Sequence, residues 1–259
     1  MKIVVIGGTG LIGSRLVKRL RADGHDAQAA TPGTGVDVTT GKGLAEALQD
    51  AQVVVDVANA PDWSDAAAMD FFQTSARNLL PAEEVAGVGH HIALSVVGTE
   101  LLRDSGYFRA KLAQEEAVKA GPVPWTILRA TQFFEFLAGI ADSGTRDGTV
   151  LLPPILFQPE AADDVAAALA DIAEGTPVSG TVELAGPERF RLDETVRRFL
   201  DTKGDTRDVV TEADAPYYGI EIHDEGVLVP SGSYRKGAIR LADWLSQPSK
   251  GRTGADQPR

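Results

Sequence analysis

No cysteine occurs among the 259 residues of this chain. Disulfides, thiolate nucleophiles and cysteine-held zinc or iron–sulfur centres are thereby excluded. No apolar run approaches the length of a membrane span. The amino terminus carries no secretory signal, and cytoplasmic residence is the expectation. Positive charge is in deficit: 25 Lys and Arg stand against 37 Asp and Glu, for a net charge of −12. A nucleic-acid backbone calls for a basic face, as does an anionic membrane, so neither partner is expected. Hydrophobic content of 43% and charged content of 24% are ordinary for a soluble globular protein. The length suffices for one large α/β domain or a domain with a small appendage.

What is present begins at Lys2. A short β-branched strand, Lys2 to Ile6, runs into Gly7-Gly8-Thr9-Gly10-Leu11-Ile12-Gly13, with glycines spaced G-x-x-G-x-x-G. Leu11, Ile12, Leu16, Val17 and Leu20 then recur at helical spacing. The first two glycines permit a tight turn and close approach of backbone N–H groups to a pyrophosphate, and the third lets helix and strand pack closely. The phosphates would sit at the positive end of the helix. A turn with no ligand is the plain alternative, but a glycine triplet between strand and helix is the context that marks a dinucleotide site.

Strand and helix alternate onward. The pattern predicts a first helix over Leu11 to Asp23, strands at Asp26–Ala30, Val36–Val38, Gln52–Val57, His91–Ser95 and Trp125–Leu128, and helices at Gly43–Asp50, Ser64–Ala86 and Tyr107–Ala120. That alternation predicts a doubly wound parallel sheet of Rossmann type, covered on both faces. Past Arg129 come an apolar helical stretch through Phe133, Phe134, Phe136 and Leu137, and a helix over Ala161–Ala173 begun by Asp163 and Asp164. A strand over Val178–Ala185 and a helix over Leu192–Asp201 capped by Asp193 or a neighbour follow. The expected organisation is a nucleotide-binding core over 1–128, a small carboxy-terminal substrate lobe with the remaining sheet elements over 129–247 in the same structural domain, and a disordered tail over 248–259.

Three residues stand out as chemistry. Tyr107 and Lys111, four apart, share one helix face, and Ser95 ends the preceding strand. A lysine ammonium beside a phenol favours the phenolate and lowers its pKa. Such a tyrosine can exchange the proton that balances hydride transfer at a carbonyl. Tyr-x-x-x-Lys also arises often by chance; the glycine motif upstream and Ser95 favour the catalytic reading.

Gly7 to Gly13, Leu94-Ser95-Val96-Val97-Gly98 and the Tyr107/Lys111 pair resemble the short-chain dehydrogenase/reductase superfamily. Val123 to Phe134, then Phe157-Gln158-Pro159 with Ala162-Asp163-Asp164-Val165-Ala166, resemble its atypical, NmrA-like branch. Together these cover about Met1 to Leu245. The resemblance implies that Gly7, Thr9, Gly10, Leu11, Ile12 and Gly13 line the pyrophosphate loop and that Asp37 contacts adenine. It places Ala58, Asn59 and Ala60 along the cofactor, Ser95, Tyr107 and Lys111 as the catalytic set, and Lys111 also on the nicotinamide ribose. Thr131 to Phe134 would close over the nicotinamide end. Phe133, Phe134 and Phe136 would shape a substrate pocket, with plain core packing the alternative for each.

The second strand ends Ala29-Ala30-Thr31-Pro32. A carboxylate there would accept from the ribose 2′-hydroxyl and an arginine would pair a 2′-phosphate; the chain offers neither. Without an acid, Thr31, Thr34 or Lys42 can hydrogen-bond a 2′-phosphate, which favours NADP(H) over NAD(H). His90-His91 reads as a surface turn without a metal, and Asp163-Asp164 as helix-start chemistry. Glu46, Glu115 and Glu116 read as solvated helix faces, while for Arg129 a structural ion pair and a cofactor contact stand side by side. The expected protein is an NADPH-dependent reductase of a small-molecule carbonyl, quinone or enone, monomeric or homodimeric, with its substrate in the cleft between sheet and lobe. A binding-only redox sensor is the main alternative, and an isomerase or epimerase keeping its cofactor bound is a third.

Overall fold

A computed structural model describes residues 1–247. The tail expected over 248–259 lies outside the described residues. In chain order the elements are β1 (Lys2–Ile6), α1 (Leu11–Ala22), β2 (Asp26–Ala30), α2 (Leu44–Leu48), β3 (Val53–Asp56), α3 (Asp65–Ala86), β4 (His90–Val96), α4 (Gly106–Ala120) and β5 (Trp125–Ala130). There follow α5 (Leu137–Ser143), β6 (Thr145–Arg146), β7 (Thr149–Leu152), β8 (Leu156–Phe157), α6 (Ala162–Glu174) and β9 (Gly180–Ala185). The last are β10 (Phe190–Arg191), α7 (Leu192–Lys203), β11 (Asp208–Thr211), β12 (Arg235–Lys236) and α8 (Leu241–Ser246). Among these residues no helix is long and apolar enough to cross a membrane. The chain divides into two compact units. One is Met1–Ala130 with Val165–Val182; the other is Thr131–Asp164 with the described residues from Glu183 on.

The first unit holds the sheet order β9-β5-β4-β3-β1-β2. The β1–β2, β1–β3, β3–β4 and β4–β5 pairs are all parallel. Parallel strands covered on both faces need apolar residues throughout, and Val53 to Val55 supply them, each at most 4% exposed. On one face Val4, Ile6 and Val54 pack with Leu44, Leu48 and Leu79. Strand order reverses between β1 and β3, the switch point at whose carboxyl edge ligands bind in open α/β sheets. The strand expected at Val36–Val38 does not form: only one antiparallel bridge, Asp37 to Lys42, is made there. The cause is local. Gly35, Gly41 and Gly43 all adopt positive φ, and the Asp37 carboxylate takes the Thr39 amide and hydroxyl for itself.

Two further expectations are corrected by burial. His90 and His91 are not a surface turn but the first residues of β4, both under 4% exposed between β3 and β5. Thr126 Oγ1 partners His90 Nε2 at 2.9 Å, and the Glu83 carboxylate partners His91 Nδ1 at 2.9 Å. Burial and the neighbouring His91 push His90 down to about 4. Burial works against the His91 cation too, yet Glu83 and Asp56 outweigh it and raise His91. Glu115 is likewise buried rather than solvated. Arg129 grips it with two hydrogen bonds of 2.8 Å, Ser95 donates at 2.7 Å and Lys119 at 3.0 Å. Arg129 also pairs with Glu100 at 2.6 Å, so of its two readings the ion pair is the one present. Glu46 and Glu116 are exposed.

In the second unit β7 pairs parallel with β11 and antiparallel with β6, while β8 pairs antiparallel with β10. The end of β9, Leu184 and Ala185, pairs parallel with β12. Asp193 does not cap α7. The cap position is Arg191, without a side-chain cap bond, and Asp193 binds Arg191 and Thr211 from the first turn. Asp163 and Asp164 lie in the first turn of α6, where Asp164 accepts the Ile239 amide.

At the centre of this unit Glu160 is fully buried. Its Oε1 takes the Thr131 amide at 3.0 Å and hydroxyl at 3.2 Å, while Oε2 has no protein partner. Burial, with Asp164 and Glu135 nearby, holds this carboxyl well above its ordinary value near 4.5, against the pull of Thr131. A folded-state pKa above the unfolded one means stability that is complete below the ordinary value and is lost as pH rises through the folded one. Glu160→Gln imitates the protonated form, so its Tm gain over the native chain should be near zero at pH 4.5. By pH 8 the gain should reach at least about 3 °C, on the order of 1 kcal/mol for a chain this size. A gain that does not change with pH in thermal melts would contradict the assignment.

Candidate functional site

The glycine turn is built by close contact. Gly7 has φ +76°, and a Cβ there would lie 2.8 Å from the Ala58 backbone. A Cβ on Gly13 would drive into the Gly7 carbonyl oxygen and lie 2.6 Å from the Gly8 Cα. Gly10 differs: its added Cβ would meet only the Gly7 oxygen, at 3.4 Å, and otherwise open space. The turn is held by the Gly10 amide on the Gly7 carbonyl and the Ser14 amide on the Gly10 carbonyl, both at 3.0 Å. No side chain caps α1 and no acid stands in its first turn. A helix start of this kind offers N–H donors and a positive dipole end to an anion. Thr9 is exposed beside it, Leu11 is half-buried and Ile12 is buried. The cradle therefore fits a dinucleotide pyrophosphate.

Beyond β2, Thr31 and Thr34 cap one another: the Thr31 amide donates to Thr34 Oγ1 at 2.9 Å. Asp37 is half-buried, and the Thr39 bonds hold its carboxyl below the usual range. Past β3, Ala58, Asn59 and Ala60 follow Asp56, whose Oδ1 accepts the Ala58 amide at 3.0 Å. Asn59 Oδ1 accepts the Tyr107 hydroxyl at 3.1 Å. Tyr107 is placed by the start of its helix. Asp65 Oδ1 takes the Gly106 amide at 3.1 Å, and Asp65 Oδ2 takes Arg109 at 2.7 Å. Only a glycine can precede Tyr107 there, because a Cβ would overlap the Asp65 carboxyl.

Ser95, Tyr107 and Lys111 are not joined to one another by hydrogen bonds. The Tyr107 ring lies against Trp63, Phe72 and Phe108. Burial pushes its phenol up, with Asn59 opposing, and Lys111 has no part in the shift. The expected lowering of the Tyr107 pKa by Lys111 is therefore not found: burial raises it, and the bonds of Lys111 run elsewhere. Lys111 Nζ donates to the Leu94 carbonyl at 2.8 Å and to Gln114 Oε1 at 2.5 Å. Ser95 spends its hydroxyl on Glu115. In the second unit, Thr131 is buried with its amide on Leu184 and Glu160 and its hydroxyl on Gln158 and Glu160. Phe134 is core, its ring tilted against Trp244 with centroids 5.3 Å apart, whereas Phe133 and Phe136 stack on each other and stay half-exposed.

Reasoning from local pattern missed Asp56, Gln114 and Asp65. Asp56 had a signal, a carboxylate closing an otherwise apolar run. Gln114 lies three residues past Lys111, on the same helix face. Asp65 had none, since its partner Gly106 is 41 residues away.

Comparison with known proteins agrees with this geometry. A family model described as NAD(P)H-binding matches residues 7–175. No curated protein matches the sequence. Among solved structures, a short-chain dehydrogenase/reductase superfamily protein from Agrobacterium tumefaciens with bound NAD superposes with a TM-score of 0.71 at 17% identity, covering 95% of each chain. A dTDP-4-dehydrorhamnose reductase from Bacillus anthracis in complex with NADP gives 0.68 at 13%, covering 95% of this chain and 92% of that one. A UDP-N-acetylglucosamine 4-epimerase from Bacillus cereus gives 0.63 at 19%, covering 82% and 85%. At these identities the likeness is one of fold.

The two glycines separate binding from folding. Gly10→Ala should leave Tm within about 2 °C, since it meets no crowding, yet weaken NADPH binding by about tenfold or more by obstructing close phosphate approach. Gly13→Ala should lower both. Calorimetric titration beside thermal melts checks this; unchanged affinity in Gly10→Ala would remove the loop from the nucleotide site.

Proposed function

Because the chain belongs to the NAD(P)H-binding family, with a sheet of the short-chain dehydrogenase/reductase type, we propose that it is an NAD(P)-dependent oxidoreductase. Its substrate is a small-molecule carbonyl, quinone or enone. The observation that carries this reading is Tyr107, positioned at the start of α4 with its hydroxyl on Asn59 and one turn from the buried Lys111. When bound, a reduced nicotinamide dinucleotide supplies the hydride. Tyr107 supplies the proton. Its raised pKa keeps the phenol protonated at neutral pH, the form a proton donor needs. A substrate oxygen that takes the place of Asn59 Oδ1 receives that proton, while Lys111, which does not shift the free phenol, would hold the nicotinamide ribose. Ser95 reaches a substrate oxygen only by leaving Glu115, and is the least supported member of the set. Thr31, Thr34 and Lys42, with no carboxylate at the end of β2, support NADP(H) over NAD(H).

One observation favours a second reading, a non-catalytic redox sensor: the Ser95 and Tyr107 hydroxyls are both already engaged within the chain. Turnover separates the two. With NADPH and a panel of quinones and aromatic ketones, Tyr107→Phe should lose about 100-fold or more in kcat, the scale of a general acid, while its cofactor affinity stays within about threefold. Retained turnover removes Tyr107 from the mechanism. No turnover in the native chain, with tight binding of one redox state only, establishes the sensor.

A further inference from the structure

Lys111 is a buried cation, 3% exposed, whose Nζ is contacted from its own helix and from two other segments of the first unit. Its Nζ donates to Leu94 O and Gln114 Oε1 and stands 4.5 Å from the centre of the Phe72 ring. Gln114 in turn donates its amide nitrogen to Asp56 Oδ2 at 2.9 Å. The other Asp56 oxygen holds the Ala58 amide, two residues before the end of the segment on which Tyr107 rests. Asp56 and Gln114 are both buried. A carboxamide between a carboxylate and an ammonium has one orientation open to it: N–H groups to the acid, oxygen to the base. Its dipole then lies along the line joining the two charges and strengthens both bonds.

We propose that Gln114 and Asp56 are positioning residues for Lys111. The Asp56 carboxyl, acting through the Gln114 amide, fixes the lysine ammonium and keeps it charged, while its second oxygen fixes the loop that carries Asn59. The inference rests on the reading of Lys111 as part of the cofactor and catalytic set, and extends it to two residues off the Tyr-x-x-x-Lys pattern. Burial pulls Lys111 down to about 8, with Asp56 and then Glu115 opposing. Of the charges around the relay, Glu115 is committed to Arg129 and Lys119. Glu83 of α3 and His91 of β4 pair with each other and feel Asp56. Gln114 is thus the direct link between the Asp56 charge and the ammonium, and removing it should let the proton leave near neutral pH.

The test is an NMR titration of the Lys111 Nζ in lysine-labelled protein, its signal identified by its absence from Lys111→Met. In Gln114→Leu the midpoint should fall by about one unit, and in the near-isosteric Asp56→Asn by less; Gln114→Glu, which restores an acceptor, should bring it back to or above the native value. NADPH affinity in Gln114→Leu should be near native at pH 6.5 and about tenfold weaker at pH 8.5, whereas plain structural damage weakens it equally at both. Unmoved midpoints in folded Asp56→Asn and Gln114→Leu overturn the relay; should Gln114→Leu not fold, an unmoved midpoint in Asp56→Asn does so. Native NADPH affinity and turnover in Lys111→Met would overturn the functional reading of Lys111 instead, independently of the titrations.

Discussion

Everything at the nucleotide end of the molecule depends on the absence of three side-chain carbons. Helix α1 can start where it does only because Gly13 brings its backbone against Gly7 and Gly8, and Gly8 in turn lies against Ala29 of β2. Gly7, in a left-handed conformation, brings the turn against the backbone of Ala58. Strands β1, β2 and the end of β3 therefore meet at one point. The first N–H groups of α1 are left without a side-chain cap. A methyl group at any of three positions would push one of these segments away, so the same crowding sets both the local packing and the site's ability to take an anion.

A second constraint lies deeper. The apolar sheet of the first unit is crossed by polar side chains that all find partners: Asp56 with Gln114 and Lys111, Glu83 with His91, Glu115 with Arg129, Lys119 and Ser95. Buried charges of this kind add little net stability over an apolar core, but removing one member strands the others. Their effect is to specify register. Each ties a helix to the sheet at fixed positions, as Glu115 of α4 does to Ser95 of β4 and Arg129 of β5. Only then does the helix carrying Tyr107 stand where its hydroxyl meets Asn59.

How much of this was legible in the sequence follows from how local each cause is. The glycine turn, the β-branched run at β3 and the long helix α3 were readable because their determinants lie within a few residues of one another. The strand expected at Val36–Val38 failed on a nearby but competing cause, three left-handed glycines and an aspartate that took the amide the strand needed. His90, His91 and Glu115 were misread because polarity was taken as exposure. Apart from Lys119, one turn from Glu115, their partners lie 8 to 36 residues away and cannot be inferred from spacing. The two-residue strands of the second unit show no periodicity to read. At the site, Tyr107 and Lys111 were visible as a pair, whereas Asp56 stood out only as a carboxylate closing an apolar run and its partner Gln114 lies 58 residues away.

The division of the chain into interleaved units bears on how it is made. Strand β5 ends the first continuous stretch of the first unit, yet its outer neighbour in the sheet is β9, which begins at Gly180. Between them the chain passes through Thr131–Asp164, which belongs to the other unit. During synthesis from the amino terminus, β5 is an uncovered sheet edge until β9 has left the ribosome, and an exposed parallel edge is a template for pairing with another chain. The nucleotide cradle, complete by Asn59, is thus available well before the sheet that supports it is closed.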